Sequence, residues 1–153
     1  GMPTQWGCKA NLALDDDQAL IVRSNAAGAQ FRNLLLTDAF HISIEYWKRT
    51  SSLNMDQMAA DEDGDFTFVV SARDPGIHNW LDNGGVRRTQ FGQRWQAFAR
   101  GVKNPDPWMT SRVVKFADLE RELPAGVKRI DPVGRHDQIM AREAGYRRRF
   151  EDS

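Results

Sequence analysis

A chain of 153 residues with 41% apolar content and five tryptophans can bury a single core without a disulfide or metal staple. Its 21 basic and 21 acidic side chains cancel, which removes the positive field of a phosphate-binding domain and excludes non-specific nucleic-acid binding. No apolar run reaches the ~18 residues of a membrane helix, and the amino terminus lacks the charged-then-apolar pattern of a secretory signal, so no membrane partner is expected.

Gly1 ahead of Met2 reads as a remnant of tag removal, with Met2 as the native start of a domain standing alone. The single cysteine, Cys8, has no internal partner and sits in an alternating run, the pattern of a small buried side chain rather than a reactive thiol. A cytoplasmic location is the expectation.

Over residues 8–14, Cys8, Ala10, Leu12 and Leu14 recur with period two, the signature of a strand with one buried face. Asp15, Asp16 and Asp17 make a turn, residues 19–23 form a second strand, and Asn25 to Gly28 supplies the next turn, giving an expected antiparallel meander. Residues 31–36 follow, and the consecutive Leu34, Leu35 and Leu36 predict a strand covered on both faces. Residues 37–54 mix the alternation of Ile42, Ile44 and Tyr46 with Phe40 and Trp47, as in an excursion over a sheet. An Asp63-Gly64 pair between residues 57–60 and 66–71 predicts a hairpin, with Phe66, Phe68 and Val70 facing one way.

That strand leads into the densest stretch of the chain, residues 71–85, where Pro75-Gly76, His78, Asn79, Trp80, Asp74 and Asp82 crowd one connection. Residues 88–98 return as an aromatic strand with Phe91 and Trp95 on one face and Arg94 and Phe98 on the other. Residues 101–108, with Pro105 and Pro107, form a plain connection, and residues 112–116 form a further strand. Asp118 is placed to cap a short helix whose Leu119 and Leu123 share a face and which Pro124 stops. Residues 132–150 are helical by propensity, with Ile139, Met140, Ala144 and Phe150 as a thin apolar stripe and a mixed-charge face read as solvated. The expected fold is all-β, an antiparallel β-sandwich of jelly-roll type over residues 2–130 with a short helix, followed by a helical tail over 131–153.

The run over residues 66–82, with Asp74-Pro75-Gly76 and then Asn79-Trp80-Leu81-Asp82, resembles the signature of the bacterial domain of unknown function 1214 family. Ser52-Leu53-Asn54 with Gln57, Arg94-Trp95, and the stretch from Val113 to Leu119 are similar to the family's other segments, so the resemblance spans residues 15–124. It implies a β-sandwich or jelly roll that usually forms the carboxy-terminal part of a larger protein, often behind a second domain, with no agreed activity. The turn Asp82-Asn83-Gly84-Gly85 and the strand start Phe31-Arg32 depart from the family pattern.

Several side chains are candidates for a site. His78 with Asp74 and Asp82 has the elements of an acid–base or metal cluster, yet the spacing matches no metal motif, and both aspartates stand where turns need them. Asn79 and Trp80 read as structural, tying loop backbone and filling the sandwich edge. Arg94 is expected to reach Asp74 or Asp82 and pin the loop, or to hold an anion with Arg49 and Arg73. His41 and Asp38 would line the same end. No nucleophile elbow and no phosphate loop is present.

These observations favour an accessory, ligand-binding or assembly module without its own catalysis, metal or cofactor. Its expected partners are a small polar or anionic ligand and further copies of itself, through exposed sheet edges. The rival reading is a hydrolase or lyase acting on a small polar or sugar-like substrate, with His78 as base and Arg94 holding an anion. Carbohydrate binding on an exposed Trp47 or Trp108 is a third.

Overall fold

The computed structural model of the chain describes residues 5–98 and 105–151. Gly1 and Met2, residues 101–104 of the Pro-containing connection and Asp152 of the tail fall outside the described residues. Among them run eight strands, β1 (Gln5–Ala13), β2 (Gln18–Ser24), β3 (Ala29–Asp38), β4 (Ser52–Asn54), β5 (Phe66–Ser71), β6 (Trp80–Asp82), β7 (Arg88–Phe98) and β8 (Met109–Lys115). A 3-10 turn at Phe116–Asp118 leads into α1 (Leu119–Glu122), and α2 (Pro132–Glu151) follows.

The strands form two four-stranded sheets, ordered β1-β7-β3-β4 and β6-β5-β2-β8. Every ladder is antiparallel except β5 with β6, where Val69, Val70 and Ser71 pair with Trp80, Leu81 and Asp82 in parallel. The expected meander is therefore corrected. β1, β2 and β3 alternate between the two sheets, and β1 pairs with β7 and β2 with β5 and β8.

The period-two pattern explains how these sheets share one core. Leu20 and Val22 of β2, Phe68 and Val70 of β5 and Leu81 of β6 meet Leu34 and Leu36 of β3, Leu53 of β4 and Phe91 of β7. Phe68 and Phe91 are almost wholly shielded, and each such side chain contributes about 2–3 kcal/mol of transfer free energy. Cys8 packs against this core, its Sγ 3.5 Å from Met109 Sδ, and burial pushes the thiol above its usual pKa, away from the reactive thiolate.

A second cluster lies on the other face of the β2–β5 sheet, where Ala19, Ile21 and Val69 are covered by Ile77, Leu119 and Val127. β2 and β5 are thus the strands buried on both faces. β3 is not: Leu34 and Leu36 point inward while Leu35 stays half-exposed, so its three leucines do not mark a doubly covered strand.

Other departures have local causes. Residues 57–60 form no strand, so Asp63-Gly64 makes a turn without a hairpin; Asp61 instead turns inward, accepting from Thr67 Oγ1 at 2.6 Å and from the Lys128 amide at 2.9 Å. Ile42 to Tyr46 does not extend, because Asp38 Oδ1 accepts from the amides of Phe40 and Ile42 and curls the chain. Asp118 makes no capping bond and pairs with Arg121, while Leu123, ahead of Pro124, takes the extended conformation that ends α1.

α2 also differs from expectation, since Met140, Ala144 and Phe150 of the apolar stripe are exposed. The helix turns Arg135, Gln138, Arg142 and Tyr146 inward, a stripe with helical spacing made of polar and aromatic side chains. Its backbone keeps away from the strands and long side chains bridge the gap. Arg32 is buried inside the sheets over the Phe66 ring at 4.0 Å, and desolvation lowers its pKa to about 10.

Candidate functional site

Parallel neighbours usually need a crossover of about a dozen residues or more, and β5 reaches β6 through residues 72–79 alone. The chain must reverse twice in that length, passing from exposed Arg73 and Asp74 to fully buried Ile77 and Asn79. This demand explains the residue types of the loop. Asp74 Oδ1 accepts from the Gly76 amide at 2.9 Å across Pro75, and Gly76 sits at φ 68°, where a side chain would be strained. Asp82 Oδ1 accepts from the Gly84 amide at 2.7 Å and repeats the device at the far end.

Between those turns the polar side chains satisfy one another. Asn79, fully buried, donates through Nδ2 to the carbonyls of Ala59 (2.7 Å) and Thr67 (3.1 Å), and its Oδ1 accepts from the Ala59 amide (2.8 Å). His78 Nδ1 lies 3.2 Å from the same Oδ1, and His78 Nε2 lies 3.2 Å from Gln138 Nε2. Gln138 Nε2 is a donor only and Asn79 Oδ1 an acceptor only, so the imidazole carries its proton on Nδ1 and is neutral. The Trp80 indole donates to Ser71.

Arg135 of α2 closes the network. Only 6% of its side chain is exposed, and it bonds Asp74 through Nε (2.9 Å) and Nη2 (3.3 Å), the carbonyls of Ile77 and His78, and Gln138 Oε1. Its guanidinium also lies 5.1 Å from the Trp80 ring centroid. Asp82 is held instead by Arg49 at 2.9 Å.

The structure thus brings Asp74, His78, Asn79 and Trp80 into one brace and leaves Asp82 at its end with a different partner. Arg94 is not part of it. This corrects the expectation that Arg94 pins the loop: it is exposed on the outer face of β7 and lines a shallow groove of about 560 Å³ with Lys9, His41, Gly7 and Gly92. Arg73 lies over Phe116 at 4.2 Å and Arg49 is engaged by Glu45 and Asp82, so the three arginines share no anion site. Nor do His78, Asp74 and Asp82 bond one another, which removes the geometry a hydrolase or lyase centre at this loop required. Among the described residues no group of three His, Cys, Asp or Glu side chains is placed to hold a metal.

His78 carries a testable pH dependence. Burial, with the nearby charges of Arg135 and Lys128, pushes its pKa below the ordinary value, against a smaller opposing pull from Asn79. The unfolded chain then takes up this proton near pH ~6.5 while the folded chain does not, so stability falls as pH drops through that region and levels off below the folded pKa. Urea midpoints at pH 7.5 and 5.5 are expected to differ more for the wild type than for His78→Gln. An equal difference would show that His78 does not titrate on unfolding.

A second concave feature lies elsewhere. Where α2 passes the outer face of β3 and β4, Phe31, Asn33, Ser52, Tyr46, Trp47, Tyr146, Arg142, Arg148 and Arg149 surround a groove of about 420 Å³. Trp47 packs in it against Tyr46 and Tyr146, with ring centroids 5.7 Å apart, rather than presenting a free sugar-binding face.

The solved structures similar to this chain include two larger proteins. One is an uncharacterized protein from Burkholderia cenocepacia, 28% identical with a TM-score of 0.68 over 76% of this chain and 31% of that one. The other is the VPA0106 protein from Vibrio parahaemolyticus, 19% identical with a TM-score of 0.58 over 75% and 32%. The chain therefore spans about a third of the length of each. No family model and no curated protein matches it. The fold is shared with these larger proteins, and among the described residues no helix is long and apolar enough to cross a membrane.

Proposed function

We propose that the chain is an accessory β-sandwich module of jelly-roll type, akin to the domain of unknown function 1214 family, which binds a small polar or anionic ligand or a further subunit and carries no chemistry of its own. The observation that supports this most directly is the closed network at residues 74–82. A general base must reach its substrate's proton, and here both ring nitrogens of His78 face protein groups while Asp74 and Asp82 face arginines. The family's habit of following a second domain agrees with the chain's spanning a third of two larger solved proteins. The motif residues of the resemblance also have a shared physical task, holding a short parallel link.

The test uses the purified chain and His78→Ala. Neither is expected to turn over p-nitrophenyl esters or glycosides, and His78→Ala is expected to melt earlier than the wild type while keeping any ligand-induced shift. Turnover by the wild type that a folded His78→Ala protein loses would sink the reading.

A further inference from the structure

We infer that the groove between α2 and the outer face of β3 and β4 is a binding site for a ring-bearing oxyanion, a flat sugar or heteroaromatic ring joined to a phosphate or carboxylate. This assignment rests on reading the chain as a ligand-binding module and names the ligand class and the site. The groove holds three features such a ligand would need, each from a different element.

The first is charge. Arg142 and Arg148 line it, and none of the described residues lining the groove is acidic, so the local field favours an anion although the chain as a whole is neutral. Arg142 is half-buried, its Nη atoms fixed on the Ser52 and Tyr46 backbone and on Ser52 Oγ, so it is preorganised. Burial lowers its pKa, and no carboxylate is paired with it among the described residues.

The second is unspent hydrogen-bonding capacity. Arg142 Nε and Asn33 Oδ1 are both buried and have no partner among the described residues. Groups of this kind in native proteins normally have a partner. Both atoms lie beneath the groove surface, so a ligand meets them once the Asn33 amide and the Arg142 side chain turn toward it, the one offering an acceptor for a ring hydroxyl or N–H and the other a charged donor for an oxyanion.

The third is a flat apolar wall. Phe31 stands two residues from Asn33 on the same face of β3, is 39% exposed, and stacks on no other described ring. Tyr46, Trp47 and Tyr146, packed on one another, also line the groove. A ring lying on Phe31 would place its edge at Asn33 and its anionic arm toward Arg142 and Arg148.

Adenosine monophosphate, adenosine and inorganic phosphate serve as probes in calorimetric titrations of the wild type, Phe31→Ser and Arg148→Ala. Arg148 is exposed and its substitution is expected to leave the melting temperature unchanged, whereas that of Phe31, 39% exposed, is expected to give a modest fall with the protein still folded at the titration temperature. The nucleotide is expected to bind with a Kd of about 1 mM or tighter, adenosine and phosphate alone at least ~10-fold more weakly, and each variant to lose ~10-fold or more. Absence of nucleotide binding, or binding that survives both substitutions, would overturn the site. In the second case the module reading stands and only its location fails, whereas conversion of a probe to product would overturn the non-catalytic reading alone.

Discussion

Asn79→Ala is expected to destabilise the protein by about 3–4 kcal/mol. The side chain is wholly buried and joins three segments, residues 59, 67 and 78, through four hydrogen-bonding contacts. Truncation leaves the Ala59 amide, the Ala59 and Thr67 carbonyls and His78 Nδ1 short of a partner in a space that Ala does not fill. Each unsatisfied buried group costs roughly 1–3 kcal/mol, moderated by relaxation and by water entering the gap. Urea denaturation would show the midpoint falling with little change in slope. A loss below about 1 kcal/mol would mean that the loop is held by its turns alone.

Arg135→Ala is expected to cost about 2–3 kcal/mol. Asp74 is about a third exposed, so the ion pair itself is partly screened and contributes modestly. The larger share comes from the carbonyls of Ile77 and His78, which lose a charged donor. Arg135→Lys keeps the charge without the planar fork and should recover less than half of the loss. The same variant offers a second readout. Removing a positive neighbour favours the imidazolium, so the His78 pKa measured by NMR titration should rise toward its ordinary value in Arg135→Ala. An unmoved His78 titration would show that burial, not the Arg135 charge, holds the imidazole pKa down.

Part of the strand pattern is legible in the residues because period-two alternation reports burial directly, as in Phe91 and Trp95 of β7. Turn chemistry is legible for the same reason: an Asp two residues before a Gly bonds locally whatever the fold, as Asp74 and Asp82 do. The errors arise where partners come from afar. Arg94 looks placed to pin the loop only because it neighbours Trp95, while the arginine that does so lies 61 residues from Asp74. Nothing local marks Arg135. A search for apolar helical stripes passes over Arg135, Gln138, Arg142 and Tyr146, because this helix docks by hydrogen bonds; a search for polar residues at the same spacing would have found it. The consecutive leucines of β3 predict a doubly covered strand, but burial of both faces depends on what the later residues 119–127 cover, and they cover β2 and β5.

The dependence of the β5–β6 link on Arg135 has a consequence for biosynthesis. As the chain leaves the ribosome, β1 waits for β7, β2 for β8, and the Asp74 bend for a guanidinium that emerges only after both sheets have all their strands. Such distant pairings fold slowly, and a nascent chain halted before α2 would expose the carbonyls of Ile77 and His78 without their clasp. Translation must therefore run past α2 before the molecule can lock.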